Sequence, residues 1–183
     1  MARLPYLDKA DLAPEDADLL ARDINLHRVL ANNPGAARAF SGLGQYIRHR
    51  TALDGRLREL AILQVGWLAR SAYEWSHHVK IGYDFGVSDD DIEALVAEAR
   101  GEETALEPAA KLVLRAAREV HDGPGVSDAT FAELRGAFGP AEIVDLVTTA
   151  SFYCAVVRLL ASLQVDVEES YMPFLRRHPL PSV

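Results

Sequence analysis

The stretch DGRLRELAILQVGWLARSAYEWSHH, residues 54–78, decides the fold, because its pattern predicts two consecutive helices. The first half is apolar around most of the helix circumference, which predicts a helix buried against several neighbours. Ser71 follows, and Glu74 comes three residues later, the spacing of an N-cap and its capping box. The second helix is expected to end near Gly86.

Helical periodicity continues along the rest of the chain. The expected helix starts are Ala17, Pro34, Asp54, Ser71, Ser88, Pro108, Ser127 and Ala141. The last of these helices, to Leu163, is apolar on nearly all sides, which predicts a central helix or one at a subunit interface. No apolar run alternates with period two, so no β-strand is expected. The predicted fold class is all-α, with about seven or eight helices.

The length of the chain predicts one domain. A chain of 183 residues is long enough to bury a sizeable core. We expect an N-terminal arm over residues 1–20, a single helical domain over 21–175 and a C-terminal tail over 176–183.

Composition and charge argue against several classes of partner. The chain is 49% hydrophobic and 25% charged, with a formal net charge of −8. Nucleic acids and anionic membranes attract basic surfaces, so neither is expected to bind. The sequence has no signal-peptide layout and no apolar run that approaches the ~20 residues of a membrane span. The single cysteine, Cys154, cannot form an internal disulfide. These observations predict a cytoplasmic protein.

The end of the opening stretch concentrates groups that transfer protons. Glu74 and His78 are four residues apart and lie on one helical stripe, while His77 points to an adjacent face. A carboxylate beside an imidazole orients the ring and raises its basicity, as acid/base chemistry near neutral pH requires. The alternative is a hydrogen-bonded pair that only ties two helices together.

Several motifs resemble the carboxymuconolactone decarboxylase family, which also contains the AhpD-like alkylhydroperoxidases. They are Arg58-Glu59-Leu60 followed by Ala-Ile-Leu, the 71–78 cluster, and Gly86-Val87-Ser88. The resemblance covers about residues 20–168. It implies an AhpD-like helical fold built on a helical hairpin. It also implies a homo-oligomer, a trimer or hexamer, with a dimer as a further option.

The peroxidase branch of that family uses a Glu, a Cys-x-x-Cys pair and a His four residues beyond the second cysteine. Carried onto this chain, the Glu is Glu59 and the His is His78. The two cysteines fall on Ser71 and Glu74, so both thiols are missing. Peroxide reduction by this motif needs a thiolate and a second thiol to resolve it, so thiol peroxidase chemistry is not expected.

The non-redox branch decarboxylates a small carboxylated lactone without metal or organic cofactor. The resemblance therefore implies a cofactor-independent acid/base enzyme of decarboxylase or lyase type. Its substrate would be a small carboxylated or oxygenated ring compound, in the catabolism of aromatic compounds. The predicted catalytic residues are His78, Glu59 and Glu74, with His78 as the first choice for the acid or base.

Two other functions remain open. One is a non-catalytic ligand-binding or scaffold oligomer of the same family, and the other is a peroxidase-like antioxidant function carried by family label alone. Geometry separates catalysis from structure. An open pocket reached by a His78 whose outer nitrogen has no internal partner favours catalysis, whereas a sealed and fully paired His78 favours a structural role.

Substrate contacts are expected around the cluster. The candidates are Tyr73, Trp75, His77, Arg70 and Ser71. The aromatic rings offer a flat wall for a ring substrate, or alternatively pack in the core. An acidic protein that binds an anion needs a local cation. The candidate cations are Arg56, Arg58, Arg70 and Arg158.

A metal site is a further option at this cluster. Glu59, Glu74 and His78 would form a three-ligand site if two helices converge, but adjacent histidines diverge by about 100° on a helix. No metal and no cofactor are expected. The other histidines lack clustered partners and are expected at the surface or at helix ends; they are His27, His49, His121 and His178.

Overall fold

The computed structural model describes residues 2–181, which contain nine α-helices, three short 3₁₀ helices and no β-strand. The α-helices are α1 (Asn25–Leu30), α2 (Pro34–Arg50), α3 (Gly55–Leu68), α4 (Ala72–Asp84), α5 (Asp89–Ala99), α6 (Pro108–Asp122), α7 (Asp128–Ala137), α8 (Pro140–Leu163) and α9 (Met172–Arg177). The 3₁₀ helices span Lys9–Asp11, Pro14–Leu20 and Glu169–Tyr171. The all-α class is confirmed, whereas the predicted number of helices was too low. The first residue of the predicted arm and the last two of the predicted tail lie outside the described residues.

The additional helices lie at the two ends of the chain. The single helix expected from Ala17 is divided into a 3₁₀ helix and α1, because Ile24 between them is extended, with φ −128° and ψ 152°. Leu19 and Leu20 in the 3₁₀ helix are buried. The short helix α9 was not expected because its six residues are too few for a visible helical period.

Helix α3 lies at the centre and packs against α4, α5, α6 and α8. Every residue from Arg58 to Trp67 is buried. An apolar surface on all sides of a helix is stable only with neighbours on all sides, as the sequence predicts. Truncation of a core residue such as Leu63, which is 0% exposed, to alanine would cost about 2–5 kcal/mol of stability.

A tight turn joins α3 and α4 into an antiparallel hairpin. Arg70 in the turn has a left-handed φ of 50°, and the Ser71 amide donates to the Gly66 carbonyl at 3.0 Å. The Ser71 hydroxyl accepts from the Glu74 amide at 3.4 Å, so the predicted N-cap is present. The two helices lie close together here, since a Cβ on Gly66 would be in van der Waals contact, 3.4 Å from the Trp75 backbone nitrogen. The hairpin therefore brings side chains of α3 and α4 into direct contact.

The C-terminal residues pack over α4. The Trp75 indole donates to the backbone carbonyl of His178 at 2.6 Å, and the His178 ring lies 2.9 Å from Asp89. His178 is 9% exposed. Of the two expected positions, the surface or a helix end, His178 has the second, since it is the C-cap residue of α9.

Helix α8 is the one helix of residues 2–181 that is long and apolar enough to cross a membrane. More than half of its most apolar window, 56%, is buried inside the fold, as is typical of a core helix. Its inward residues include Tyr153, Val157 and Leu160. On its outer face Val144 is 65% exposed.

Candidate active site

His78 connects two carboxylates across the helical hairpin. Its Nδ1 lies 2.6 Å from Oε2 of Glu59 on α3, and its Nε2 lies 2.9 Å from Oε1 of Glu74 on its own helix. Glu74 and His78 meet because residues four apart share a helix face. The Glu59 contact requires the close α3–α4 approach. The three predicted catalytic residues therefore form one cluster.

Arg58 extends this cluster on the far side of Glu59. Its guanidinium donates to Oε1 of Glu59 at 3.1 Å and lies 4.2 Å from the centre of the Phe85 ring. Arg58, Glu59, His78 and Glu74 are each at most 4% exposed. The result is a buried series of alternating charges, arginine, glutamate, imidazole and glutamate. We call these four residues the buried relay.

The charges of the relay hold its protons in defined places. Burial alone lowers the pKa of His78, but the charges of Glu59 and Glu74 outweigh burial and raise it. Burial alone raises the pKa of Glu59, yet the charges and hydrogen bonds of His78 and Arg58 lower it. Both ring nitrogens of His78 lie within hydrogen-bond distance of a carboxylate oxygen, an arrangement that suits the imidazolium form, which donates at each nitrogen.

The relay ends at a partly open cavity of about 70 Å³ that is lined by α1, α2, α4, α8 and the segment before α1. Its apolar lining is Ile24, Leu26, Phe40, Gly44, Phe152 and Val156. Its polar lining is Arg22, His27, Ser41, Gln45, Arg48, Tyr73, Glu74, His77, His78 and Tyr153. The volume holds a few water molecules or a small ring compound.

Glu74 is the member of the relay best placed to meet a ligand. One of its oxygens binds His78, and the other has no hydrogen-bond partner among residues 2–181. Both nitrogens of His78, in contrast, are occupied. The two parts of the geometric test therefore disagree. Both nitrogens of His78 are paired, as expected of a structural or positioning residue, whereas the pocket beside it is open, as expected of a catalytic site. Glu74 and His78 both line the cavity, and Glu74 is the one that presents an oxygen without a hydrogen-bond partner in the described chain.

Tyr153 on α8 adds a phenol to the cavity. Its ring packs edge-on against His78 with centroids 4.9 Å apart, and its hydroxyl has no hydrogen-bond partner in the described chain. Burial, followed by the charges of Glu74 and Glu59, raises the pKa of Tyr153. The phenol therefore stays protonated and can donate a hydrogen bond. The sequence signal was a polar ring in an otherwise apolar helix.

Arg22, Arg48 and His27 line the cavity on the side formed by the segment before α1, by α1 and by α2. Neither guanidinium forms an ion pair or a hydrogen bond within residues 2–181. Burial, followed by the charge of Arg22, lowers the pKa of Arg48. Burial and then the charge of Arg22 lower the pKa of His27 to about 4, so His27 is neutral at pH 7. Sequence reasoning missed all three residues as cavity residues.

Tyr73 and His77 line the cavity, but both side chains already bind Glu168. The His77 ring is stacked between the rings of Tyr73 and Tyr171, at 4.1 and 3.5 Å, and its Nε2 lies 2.7 Å from Glu168. The Tyr73 hydroxyl donates to Glu168 at 3.1 Å and accepts from the Leu26 amide. Both side chains therefore tie the site helix to α1 and the C-terminal segment.

Comparison with known proteins identifies the family. The model of the carboxymuconolactone decarboxylase family matches residues 34–119, which include α3, α4 and the whole relay. This match and the fold of the solved neighbours support a member of the carboxymuconolactone decarboxylase/AhpD-like family. No curated protein matches the sequence.

Solved structures share the fold of this family member. A peroxidase-related protein with an alkylhydroperoxidase AhpD core, from Ralstonia eutropha JMP134, is 18% identical with a TM-score of 0.81, and the match covers 95% of each chain. A peroxidase-related protein from Silicibacter sp. TM1040 is 18% identical with a TM-score of 0.77 over 92% of each chain. The debrominase Bmp8, a cysteine-to-alanine variant in complex with 2,3,4-tribromopyrrole, is 16% identical with a TM-score of 0.77 over 97% of each chain. The TM-scores and coverages show that the chain shares the AhpD-like fold.

Three predicted substrate contacts lie away from the cavity of this AhpD-like chain. Trp75 is 0% exposed and packs against Trp67, with ring centroids 5.4 Å apart. Arg70 is exposed in the turn, and Ser71 serves as the helix cap. None of the three lines the cavity, and their role as substrate contacts stays a prediction.

The predicted cations are also engaged elsewhere. Arg56 binds Asp91 and Glu107, and Arg58 binds Glu59. Arg158 is exposed and donates to the Cys154 carbonyl. The cavity takes its positive charge from Arg22 and Arg48 instead.

The three-ligand metal arrangement is not formed. Glu59 and Glu74 bind opposite nitrogens of the His78 ring, so the three groups cannot converge on one ion. No group of three metal-ligating side chains with suitable geometry occurs in the part of the chain that the structure describes.

Cys154 is buried on α8 and does not line the cavity. Burial raises the pKa of its thiol, against the opposing effect of Arg158. The family's thiol chemistry therefore has neither a thiolate at the relay nor a second cysteine.

Proposed function

We propose that this chain is a cofactor-independent acid/base enzyme of decarboxylase or lyase type, which acts on a small ring compound in the relay cavity. The observation that carries the proposal is the end of the relay. A buried carboxylate, Glu74, faces a cavity and is backed by an imidazolium with its own paired carboxylate. Such a group gives or takes a proton at a fixed position without metal or organic cofactor.

The proposed reaction begins with the proton on His78. In a decarboxylation, the bond between the ring carbon and the departing carboxylate breaks, carbon dioxide leaves, and the electron pair forms an enolate with an adjacent carbonyl. Glu74 takes the His78 proton and delivers it to the ring carbon. His78 then regains a proton from water, while Glu59 keeps its orientation. Positioned proton transfer of this kind contributes about 10²–10⁴-fold to rate.

Tyr153 is proposed to hydrogen-bond the oxygen that becomes negative in the enolate. Its raised pKa keeps the hydroxyl protonated, and its ring is fixed against His78. A donor placed before the reaction needs no reorganisation when charge develops.

Relatives support a small ring as the ligand. The debrominase with this fold was solved with 2,3,4-tribromopyrrole, a five-membered ring. The cavity of about 70 Å³ and the aromatic side chains Phe40 and Phe152 suit a ring of that size. Peroxidase-related relatives carry no such argument for this chain, which has a single buried cysteine.

Turnover tests this proposal directly. Carboxylated lactones and β-keto acids are supplied in turn, and release of carbon dioxide and incorporation of solvent deuterium are measured. We expect Glu74→Gln to lower the rate of any active substrate at least 10²-fold. Glu93→Gln, which removes an exposed carboxylate on α5, is the matched control and should keep full rate. A Glu74→Gln variant with full rate contradicts the proposal.

The non-catalytic alternative makes a different prediction. A ligand-binding or scaffold oligomer would bind ring compounds without converting any of them, and Glu74→Gln would leave binding intact. The pairing of both His78 nitrogens is the observation that favours this alternative.

We also propose that copies of the chain associate. Phe131 on α7 and Val144 on α8 are large apolar side chains, 42% and 65% exposed, at one groove. Light scattering should give a multiple of the single-chain mass, and Val144→Asp should shift it towards one chain. A single-chain mass for the unmodified protein contradicts this proposal.

A further inference from the structure

Two arginines of the cavity differ from the other arginines of the protein. Arg22 and Arg48 are both half-buried, and neither has an ion-pair or hydrogen-bond partner in residues 2–181. The other buried or half-buried arginines all have a partner: Arg28, Arg56, Arg58, Arg115 and Arg118. The remaining arginines that have no partner are all exposed to water, which solvates their charge.

The arrangement is unfavourable without a ligand. The protein has a net charge of −8, and yet no carboxylate of the described residues forms an ion pair with these two guanidiniums, and the attraction of Arg48 to Glu59 is weaker than its repulsion by Arg22. They repel each other, since the charge of Arg22 adds to burial in lowering the pKa of Arg48. Partly desolvated like charges persist where another anion compensates them.

The other groups of the cavity leave this charge uncompensated. The Glu74 carboxylate is matched by the His78 imidazolium, and Glu59 behind it is matched by Arg58. His27 is neutral, with Nδ1 buried and without a partner. The lining therefore carries an excess of two positive charges.

We infer that Arg22 and Arg48 form the binding site for the carboxylate of a small ring compound whose ring lies towards Glu74. This inference names the substrate class of the proposed function and depends on it for the role of Glu74. Guanidinium groups present a planar fork of N–H donors that matches a carboxylate. Phe40 and Phe152, with ring centroids 4.9 Å apart, line the same cavity and provide apolar contact for the ring.

The site also explains why residues before α1 belong to the functional unit. Arg22 lies between a 3₁₀ helix and α1, and Arg48 lies near the end of α2. A carboxylate bound by both would connect the two segments. Ligand binding is therefore expected to order the segment that carries Arg22.

Binding without turnover separates this inference from the proposed function. Calorimetry is performed with Glu74→Gln protein at low ionic strength, in a buffer free of carboxylate and phosphate, with 2-furoate as the probe and neutral 2-furamide as its counterpart. We expect 2-furoate to bind at least tenfold more tightly than 2-furamide. Equal affinity for the two compounds overturns the inference.

Single substitutions locate the site. Arg22→Gln and Arg48→Gln should each weaken 2-furoate binding at least tenfold, whereas Arg48→Lys keeps the charge and should weaken it less. Arg176→Gln removes the same charge from an exposed position on α9 and should leave binding unchanged. If the three Gln variants bind alike, the arginine pair is not the site. Circular dichroism confirms that each variant is folded.

The two proposals can fail separately. If 2-furoate binds selectively and its binding depends on both arginines, but no compound is turned over, the arginine site is supported and the proposed enzymatic function is contradicted. If turnover depends on Glu74, but Arg22→Gln and Arg48→Gln keep wild-type KM values for carboxylated substrates, the arginine site is overturned and the proposed enzymatic function is supported. If inorganic phosphate binds as tightly as 2-furoate, the inference is also overturned, because the site would then bind anions in general.

Discussion

The two sides of the cavity differ in whether their charged groups have partners of opposite charge. On the α3–α4 side, each charged group of the buried relay contacts a group of opposite charge within 3.1 Å. On the other side, formed by the segment before α1, by α1 and by α2, the side chains of Arg22, Arg48 and His27 have no carboxylate partner in the described chain. We call these the paired side and the unpaired side.

The difference indicates two functions within one cavity. Paired buried charges hold each other in one geometry, which preorganises a reactive group. Unpaired charges keep their binding capacity for a ligand and lower the stability of the free protein in exchange. The paired side is therefore the candidate chemical machinery, and the unpaired side is the candidate recognition surface.

The largest expected effect comes from breaking the paired side. Glu59→Gln leaves Arg58 and His78 buried without their shared carboxylate, so the free energy of unfolding should fall by about 3–5 kcal/mol. Urea denaturation measures it. Asp16→Asn, which removes a carboxylate from the exposed Arg38 pair, should cost less than about 1 kcal/mol. Similar losses in the two variants would show that the relay does not hold the hairpin together.

The unpaired side should dominate the loss of stability in weak acid. The pKa of His27 is 6.5 when unfolded and about 4 when folded, so between these values the unfolded state binds a proton that the folded state excludes. Stability is therefore full above pH 6.5 and falls as the pH drops towards 4, by on the order of 3 kcal/mol. Denaturation at several pH values should give a smaller decrease for His27→Gln. An unchanged decrease would contradict a neutral His27.

Glu74→Gln should lower the free energy of unfolding by less, about 1–2 kcal/mol, because the glutamine side chain can still form a hydrogen bond with His78. Its clearer effect should be on the pKa of His78. His78 has a raised pKa, so its stabilising contribution is complete below 6.5 and is lost as the pH rises through the folded value. Removal of the Glu74 charge lowers that folded pKa, and the alkaline loss begins at lower pH. NMR titration of the imidazole checks this, and an unchanged His78 pKa would contradict it.

The smallest expected effect is on the unpaired side. Arg48→Gln removes a half-buried charge that repels Arg22, so the ligand-free protein should be as stable as the wild type or up to about 1 kcal/mol more stable at low salt. Thermal unfolding at two salt concentrations measures the change. A loss above about 1 kcal/mol would mean that Arg48 has a structural partner and that the two sides do not differ in kind.

The paired side could be predicted largely from the sequence. Glu74 and His78 share a stripe of one helix, and the Ser71 cap fixes where that helix begins. The contact of His78 with Glu59 followed from the family resemblance, since nothing in local periodicity determines how α3 faces α4. That Glu74, and not His78, presents an unpaired polar atom at the cavity depends on the direction of two side chains, which spacing alone does not define.

The unpaired side could not be predicted. Arg22 lies in a short extended connection, Arg48 lies on an amphipathic helix with other basic residues, and neither belongs to a motif. They meet only because the segment before α1 folds across α2. Tyr153 was visible as a polar residue of an apolar helix, but its neighbour His78 is 75 residues away in the chain. Contacts of this kind depend on tertiary packing.

The most direct test is a crystal structure of the Glu74→Gln variant with 2-furoate. The account predicts the carboxylate between the guanidiniums of Arg22 and Arg48, the ring against Phe40 and Phe152 and directed at residue 74, and His78 still bound to Glu59. A ligand bound outside this cavity, or one whose carboxylate contacts neither arginine, would contradict it.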